Sequence, residues 1–384
     1  MDLVTHAVMG AAIGELLLGR KLGNRALAWG GLLGALPDLL DALLWMCSSE
    51  AWFVTLHRGI SHSLLLIGIA AFALPLWLVR LWKKDKVERG RATAFVAVGL
   101  GAHVLLDCLT VEGAKLLAPF SDLPVALNCL FDPDLFITVP VLVTVLWLAF
   151  LKREIPKRPR KGSKAAAAKG LKLTAREKLA ARGLAVAVIY MALAAGLKGW
   201  VSSGFDADLQ RRQATFSRRM EAPTPYNILL WRSVVDRGTE LWIGYKSVFE
   251  SRETPVRWVV VPKGREYAAP FAEEAGVKAV SRFSDGWWVA RPVAKGVWLA
   301  DLRFGETRGW ERKATVDLRP TVHWQWSKAE DKATLRKIQS GARNVPESLK
   351  RLVFRIFGNR TDWEGNPRLT GNPGSLPEVL EAVE

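Results

Sequence analysis

Six apolar blocks, at residues 3–19, 26–46, 62–82, 92–110, 134–151 and 184–200, are separated alternately by stretches rich in lysine and arginine and by loops with almost none. Each block is close to the ~20 residues that an α-helix needs to span the hydrocarbon of a bilayer. This segregation constrains the fold more than any other feature of the chain. A net charge of +17 over 384 residues would suit a soluble nucleic-acid binder, but half of the residues are hydrophobic and they are gathered into long blocks. The chain therefore reads as an α-helical multi-pass membrane protein with five to six spans, six being favoured. The blocks at 62–82 and 134–151 are the cleanest.

The cationic residues set the expected topology. Arg20, Lys21 and Arg25 follow the first block, and Arg80, Lys83, Lys84, Lys86, Arg89 and Arg91 follow the third. The stretch 152–182 holds twelve Lys/Arg against two Glu. Cationic loops stay cytoplasmic, and a six-span count puts all three runs on one side. The amino terminus, the 47–61 and 111–133 loops and everything past 200 then fall outside. "MDLVTH" carries an acid where a signal peptide carries basic residues, so the first block is expected to remain. The basic stretch is explained by its setting of the topology alone, and contact with anionic lipids is a second reading of it. It has no interleaved aromatics or binding motif, so nucleic acid is not an expected partner. Cys47, Cys108 and Cys129 form no CxxC pair and no redox or zinc-finger motif.

Past residue 202 the pattern changes. "LWIGYKSVF", "VRWVVVPKG", "GWWVARPV", "GVWLADLRFG" and "TVHWQWS" alternate, are rich in Trp, Val and Tyr, and are separated by Gly, Pro and Asp. Such runs predict antiparallel strands, here over 225–330, with a Trp-rich core and a helix-prone charged tail. The expected organisation is a membrane-embedded His/Asp domain at 1–151, a basic cytoplasmic linker at 152–183, a transmembrane helix at 184–201 and a β-rich (α+β) extracytoplasmic carboxy-terminal domain at 202–384.

Four of the five histidines, His6, His57, His62 and His103, lie in or beside the apolar blocks. Ionisable groups there are costly, face polar interiors and mark function. His103 and Asp107 stand four apart and so share a helix face. Asp38 and Asp41 stand three apart, just after Pro37, which kinks or starts a helix. Gly10 and Gly14 allow a second helix to come close beside His6. Taken singly, each residue has an ordinary explanation as an interfacial polar group. Together, His6, Asp38, His62, His103 and Asp107 make a metal-ligand set in which imidazole and carboxylate suit Zn, Mn or Fe.

Around that set, His57 is a further ligand or substrate contact. Asp41 is a further ligand or a carboxylate that orients a histidine, and Arg58 is a candidate to steady developing negative charge. Ser61 and Ser63 read as helix caps and hydrogen-bonding partners of the site. Asp132 and Asp134 read as helix caps, and His323 as structural.

"MDLVTHAVMGAAIG", "LLGALPDLLD", "HRGISHSLL" and "GLGAHVLLDCLTVEGAKLLAPFS" follow in order. This arrangement resembles the YdjM-type inner-membrane proteins, a family described as membrane-bound, metal-dependent hydrolases. The resemblance covers roughly residues 1–150. It implies a bacterial inner-membrane location, a divalent metal and site roles for His6, Asp38, His57, Arg58, Ser61, His62, His103 and Asp107. Many relatives carry Asp-Xaa-Asp after the proline, whereas "PDLLD" places the second acid at Asp41. The family is distantly similar to zinc-dependent phospholipase C and P1-type nucleases. With a site at the membrane surface, a lipid-linked or headgroup phosphoester is the expected substrate, and membrane lipids are the expected partners. Two other classes use the same residues: an ion or proton relay in a transporter, and an envelope scaffold with a structural metal.

Overall fold

A computed structural model describes residues 1–152, 173–306, 320–329, 332–339 and 345–360. Most of the basic linker and the charged tail after 360 lie outside the described residues. The chain has an amino-terminal helical region with several apolar helices and a carboxy-terminal β-rich domain. It divides into two compact units, one of 1–43, 58–127 and 132–193, the other of 44–57, 128–131 and 194–384.

The helices before the first strand are α1 (Leu3–Leu22), α2 (Arg25–Cys47), α3 (Glu50–Leu56), α4 (Leu64–Leu81), α5 (Arg89–Cys108), α6 (Leu135–Phe150) and α7 (Ala175–Arg211). Five of them, α1, α2, α4, α5 and α7, are long and apolar enough to cross a membrane. The 16 residues of α6 reach only about 24 Å, short of a ~30 Å hydrocarbon core. Phe72 and Trp77 on α4, Val143 and Trp147 on α6, and Ile189 on α7 are exposed. A water-soluble bundle would bury such a set.

α1 and α2 pack through a stripe of small residues. A Cβ on Gly30 would lie 2.2 Å from the Gly10 carbonyl oxygen, and one on Gly34 would lie 2.3 Å from that of His6. The backbones therefore touch, as spacing of small residues by four allows. Gly10 and Gly14 signal half of this stripe, and Gly30 and Gly34 are the other half. α5 packs on α1 and α4, and α6 on α1. Leu18, Leu33, Leu78, Trp82, Phe95 and Leu100 form the core beside the glycine contact.

Pro37 lies inside α2, so of its two readings, kink or start, it does not start the helix. One expectation for this region changes. α7 begins at Ala175, earlier than the apolar block at 184, because its charged first turn is satisfied by α1. Arg176 forks onto buried Glu15 at 2.8 Å through both Nε and Nη2, and Arg20 onto Glu177 at 2.6 and 2.7 Å.

The second unit holds two four-stranded antiparallel meanders. One is β1 (Arg218–Pro223), β2 (Leu230–Asp236), β3 (Glu240–Ser247) and β4 (Val259–Pro262). The other is β5 (Trp288–Val293), β6 (Gly296–Glu306), β7 (Pro320–Ala329) and β8 (Lys332–Gln339). The alternating runs mark β3 to β7, whereas β1, β2 and β8 carry charges that mask them. Arg232 on β2 is buried against Glu306 on β6, which also accepts from Tyr245 Oη on β3 at 2.7 Å, so this ionic group ties the two sheets.

Trp231, Trp324 and Trp326 are buried, in keeping with a Trp-rich core. Helix α3 belongs to this unit. Val54 joins the core of the second sheet beside α8 (Ala275–Phe283), and Glu50 accepts from Trp324 Nε1 at 3.0 Å. α9 (Val345–Ile356) completes the unit. None of the three cysteines forms a disulfide.

The glycine contact predicts a sharp positional contrast. Gly30→Ala should lower stability in detergent by about 1–3 kcal/mol through overpacking. Gly68→Ala, where an added Cβ meets nothing within 4 Å, should be neutral or stabilising. Thermal unfolding of the two variants checks this, and equal melting temperatures would contradict the contact.

Candidate metal centre

His6 near the start of α1, Asp38 just past the middle of α2, His62 just before α4, and His103 with Asp107 at the end of α5 converge within the first unit. The side chains of the three histidines and Asp107 are fully buried, and Asp38 is 17 % exposed. The basic residues Arg20, Arg25, Lys83 and Arg89 lie at the opposite ends of these helices. Donor atoms of His6, Asp38, His103 and Asp107 all fall within 4.8 Å of one another. His62 Nε2 lies 3.0 Å from His103 Nε2, 3.2 Å from Asp107 Oδ2 and 3.7 Å from Asp38 Oδ1.

The hydrogen bonds behind the rings fix which nitrogen faces the cluster. His103 Nδ1 lies 2.6 Å from the Gly34 carbonyl oxygen, which can only accept, so Nδ1 carries the proton. Ser61 Oγ spends its single hydrogen on Asp41 Oδ1 at 2.5 Å and so must accept from His62 Nδ1 at 2.9 Å. In the neutral rings both Nε2 atoms therefore present lone pairs, and these face each other. A proton or a metal ion held between them resolves that opposition.

Two buried carboxylate oxygens in the same space, Asp38 Oδ2 and Asp107 Oδ2, also lack a hydrogen-bond donor. Leaving such groups unsatisfied is costly. The separations suit a metal. His62 Nε2, His103 Nε2, Asp38 Oδ1 and Asp107 Oδ2 give five distances between 3.0 and 3.7 Å. A tetrahedral set with bonds of about 2.0–2.1 Å has edges of about 3.3–3.4 Å. The donors present thus fit a divalent ion.

The turn before α4 is held from several sides. Arg58 has a left-handed φ of 47°. Its N–H donates to Asp41 Oδ2 at 2.8 Å and its carbonyl accepts from Lys115 N at 3.0 Å. Its buried guanidinium lies 3.3–3.4 Å from Asp107, Glu112 and Asp132 and donates to Thr110 Oγ1 at 3.2 Å. Burial opposes its charge, but the Glu112, Asp107 and Asp132 carboxylates outweigh that and raise its pKa. The Met1 amine pairs with Asp107 and Asp132.

Of the flanking residues, Ser63 caps α4 by accepting from Leu66 N at 3.2 Å. Asp134 caps α6 by accepting from Phe136 N at 2.9 Å. Asp132, expected as a cap, is instead an ion-pair partner of Arg58, because Asp134 already fills the capping position. His57 falls in the second unit, with its ring 4.8 Å from that of Phe53. His323 is buried in β7, its ring 5.2 Å from that of Trp298. Sequence reasoning missed Gly34, Thr110 and Glu112. Only Gly34 left a signal, standing four residues before Asp38 and four after Gly30.

The model of the YdjM inner membrane protein family matches residues 1–201. That is more than half of the chain and contains every residue of the cluster. The chain belongs to the YdjM family. No curated protein matches it, and no solved structure does. The match ends before the first β-strand, so both meanders lie outside the part that defines the family.

The carboxylates around Arg58 predict its value to the fold. Arg58→Met should cost about 3–5 kcal/mol, because it strips the counter-charge from buried acids. Denaturant unfolding in detergent measures this, and a change within about 0.5 kcal/mol would contradict the ion-pair network.

Proposed function

We propose that the chain is a membrane-bound, metal-dependent hydrolase whose substrate is a lipid-linked or headgroup phosphoester. The observation that carries the reading is the pair of Nε2 atoms of His62 and His103. They face each other at 3.0 Å with both lone pairs turned inward, beside carboxylate oxygens that no donor satisfies. The apolar helices would cross the bilayer. The cluster near their ends would then meet substrate at the membrane surface.

Bound there, a divalent ion (zinc on this donor set, with manganese and iron as alternatives) supplies Lewis acidity and makes a coordinated water more acidic. The protein's own groups prepare the site. Gly34 and Ser61 hold the His103 and His62 rings in the ligand tautomer. Asp41 anchors Ser61 and the Arg58 backbone, and so acts on His62 through the serine. Arg58 is committed to Asp107, Glu112 and Asp132, so its proposed role is to position Asp107. Asp38 is the most exposed of the ligand carboxylates. It is the group best placed to take a proton from incoming water.

Elemental mass spectrometry on detergent-purified protein should find stoichiometric Zn, Mn or Fe, lost in a folded His62→Ala/His103→Ala double variant. Ser61→Ala should weaken metal binding about 10–100-fold through the loss of ring orientation. The loaded wild type should hydrolyse at least one member of a panel of phospholipids and lipid phosphates. Absence of metal after reconstitution would overturn the reading.

A further inference from the structure

Helix α9 is built inside out. Its docked face carries Ser348, Arg351, Leu352, Arg355 and Ile356, all of them buried. Arg355 donates to Glu250 Oε1 and to the Tyr245 carbonyl oxygen, both at 3.0 Å, and Arg351 donates to Glu347 at 3.0 Å. The Ile356 carbonyl accepts from Ser247 Oγ at the end of β3. The opposite face carries Val345, Leu349, Val353 and, just past the helix end, Phe357. Spacing by four aligns them along one side. They are 42–71 % exposed, as is Phe354 beside them.

A helix between a protein core and water does the reverse, with its apolar stripe inward and its charges outward. Turning two arginines in and five apolar side chains out is unfavourable in water. The arrangement is favourable where the outer medium is itself apolar.

The surroundings of the patch point to that medium. Phe249 is exposed and stacks on Phe357, with centroids 5.5 Å apart and planes 12° from parallel. It lies in the turn after β3, and Arg252 of that turn donates to the Ser203 carbonyl oxygen of α7 at 3.4 Å. Ser203 stands three residues past Trp200, the exposed last member of the apolar block of α7. The apolar face of α9 is thus tied, through this turn, to the point where α7 would leave the hydrocarbon. Lys350, on the same exposed face, holds its ammonium 5.8 Å from the Phe354 ring. An apolar stem with a charged tip suits the edge of a bilayer. A second copy of the chain would cover the apolar face as well, but it would not account for the tie to α7.

We propose that α9 lies in the plane of the bilayer at its interface, with Val345, Leu349, Val353 and Phe357 turned into the acyl boundary. The partner of this face is a lipid surface. The proposal rests on the membrane-spanning reading of α7 and goes beyond the hydrolase reading, because it gives the carboxy-terminal domain a membrane contact of its own.

The test uses the full chain in nanodiscs of phosphatidylethanolamine and phosphatidylglycerol. Cys47, the exposed cysteine, is replaced by serine. Single cysteines are then introduced as Val353→Cys, as Ile189→Cys on exposed α7 surface, and as Glu273→Cys, where the side chain is 92 % exposed. Leu349→Cys is a second position on the α9 face, and circular dichroism checks that each variant is folded. Each cysteine carries a nitroxide. Power saturation in electron paramagnetic resonance compares collision with oxygen, which concentrates in lipid, against a nickel chelate, which stays in water. The labels at 353, 349 and 189 should relax more with oxygen, and the label at 273 more with the chelate. A water-exposed label at 353 and 349 beside a lipid-exposed one at 189 would overturn this proposal alone. Protection of 353 and 349 from both reagents would also overturn it, and spin–spin broadening there would identify a second copy as the cover. A water-exposed label at 189 would overturn the spanning reading with it.

Discussion

The backbone contact between α1 and α2 is the constraint on which the site depends. Four glycines let the helices meet carbonyl against Cα, and a single methyl at Gly30 or Gly34 would separate them. That closeness does two things for the chemistry. It brings His6 level with Gly34, whose Cα borders the His6 carbonyl. It also sets the carbonyl that fixes the His103 tautomer, since Gly34 O is the acceptor for His103 Nδ1. A packing feature of two apolar helices thus decides which nitrogen of a third helix is available to bind.

The second requirement is electrostatic. Gathering Asp38, Asp107 and their neighbours in a buried space is unfavourable unless positive charge accompanies them. Arg58 supplies part of it, held by a left-handed backbone and by carboxylates on both sides of α5's end. A metal would supply the rest, inward of Arg58, where His62 and His103 meet. Far from the site, Glu15 and Arg176 solve the same problem for α1 and α7 with a closed, fully used pair. The contrast is informative. One buried ionic group saturates itself, while the other leaves acceptors turned toward a common space.

Much of this was legible in the residues, and the reasons differ. The helices followed from apolar length, which needs no tertiary information. The His/Asp cluster was legible because charge in an apolar block is rare enough to stand out. The order of its members along the chain, with HxxxD at the end of one helix and His62 at the start of another, put them at one end of the bundle. Strands β1, β2 and β8 were not legible. In β1 and β2 charged residues, some buried in pairs such as Arg232 with Glu306, hide the alternation, and in β8 exposed Lys and Arg do. Nor was the role of Glu112 or Thr110, which lie in a loop and act only through Arg58. Asp132 and Asp134 look alike in "FDPDLF", and only folding assigns one to an ion pair and the other to a cap.

The central claim is that imidazole nitrogens and carboxylate oxygens of α1, α2, α5 and the turn before α4 bind a metal directly. X-ray absorption at the metal edge of the loaded protein tests it most directly. The account predicts a shell of nitrogen and oxygen at about 2.0–2.1 Å, with the outer scattering of coordinated imidazole rings, which weakens in His103→Ala. A sulfur shell, or an all-oxygen shell without imidazole scattering, would contradict it.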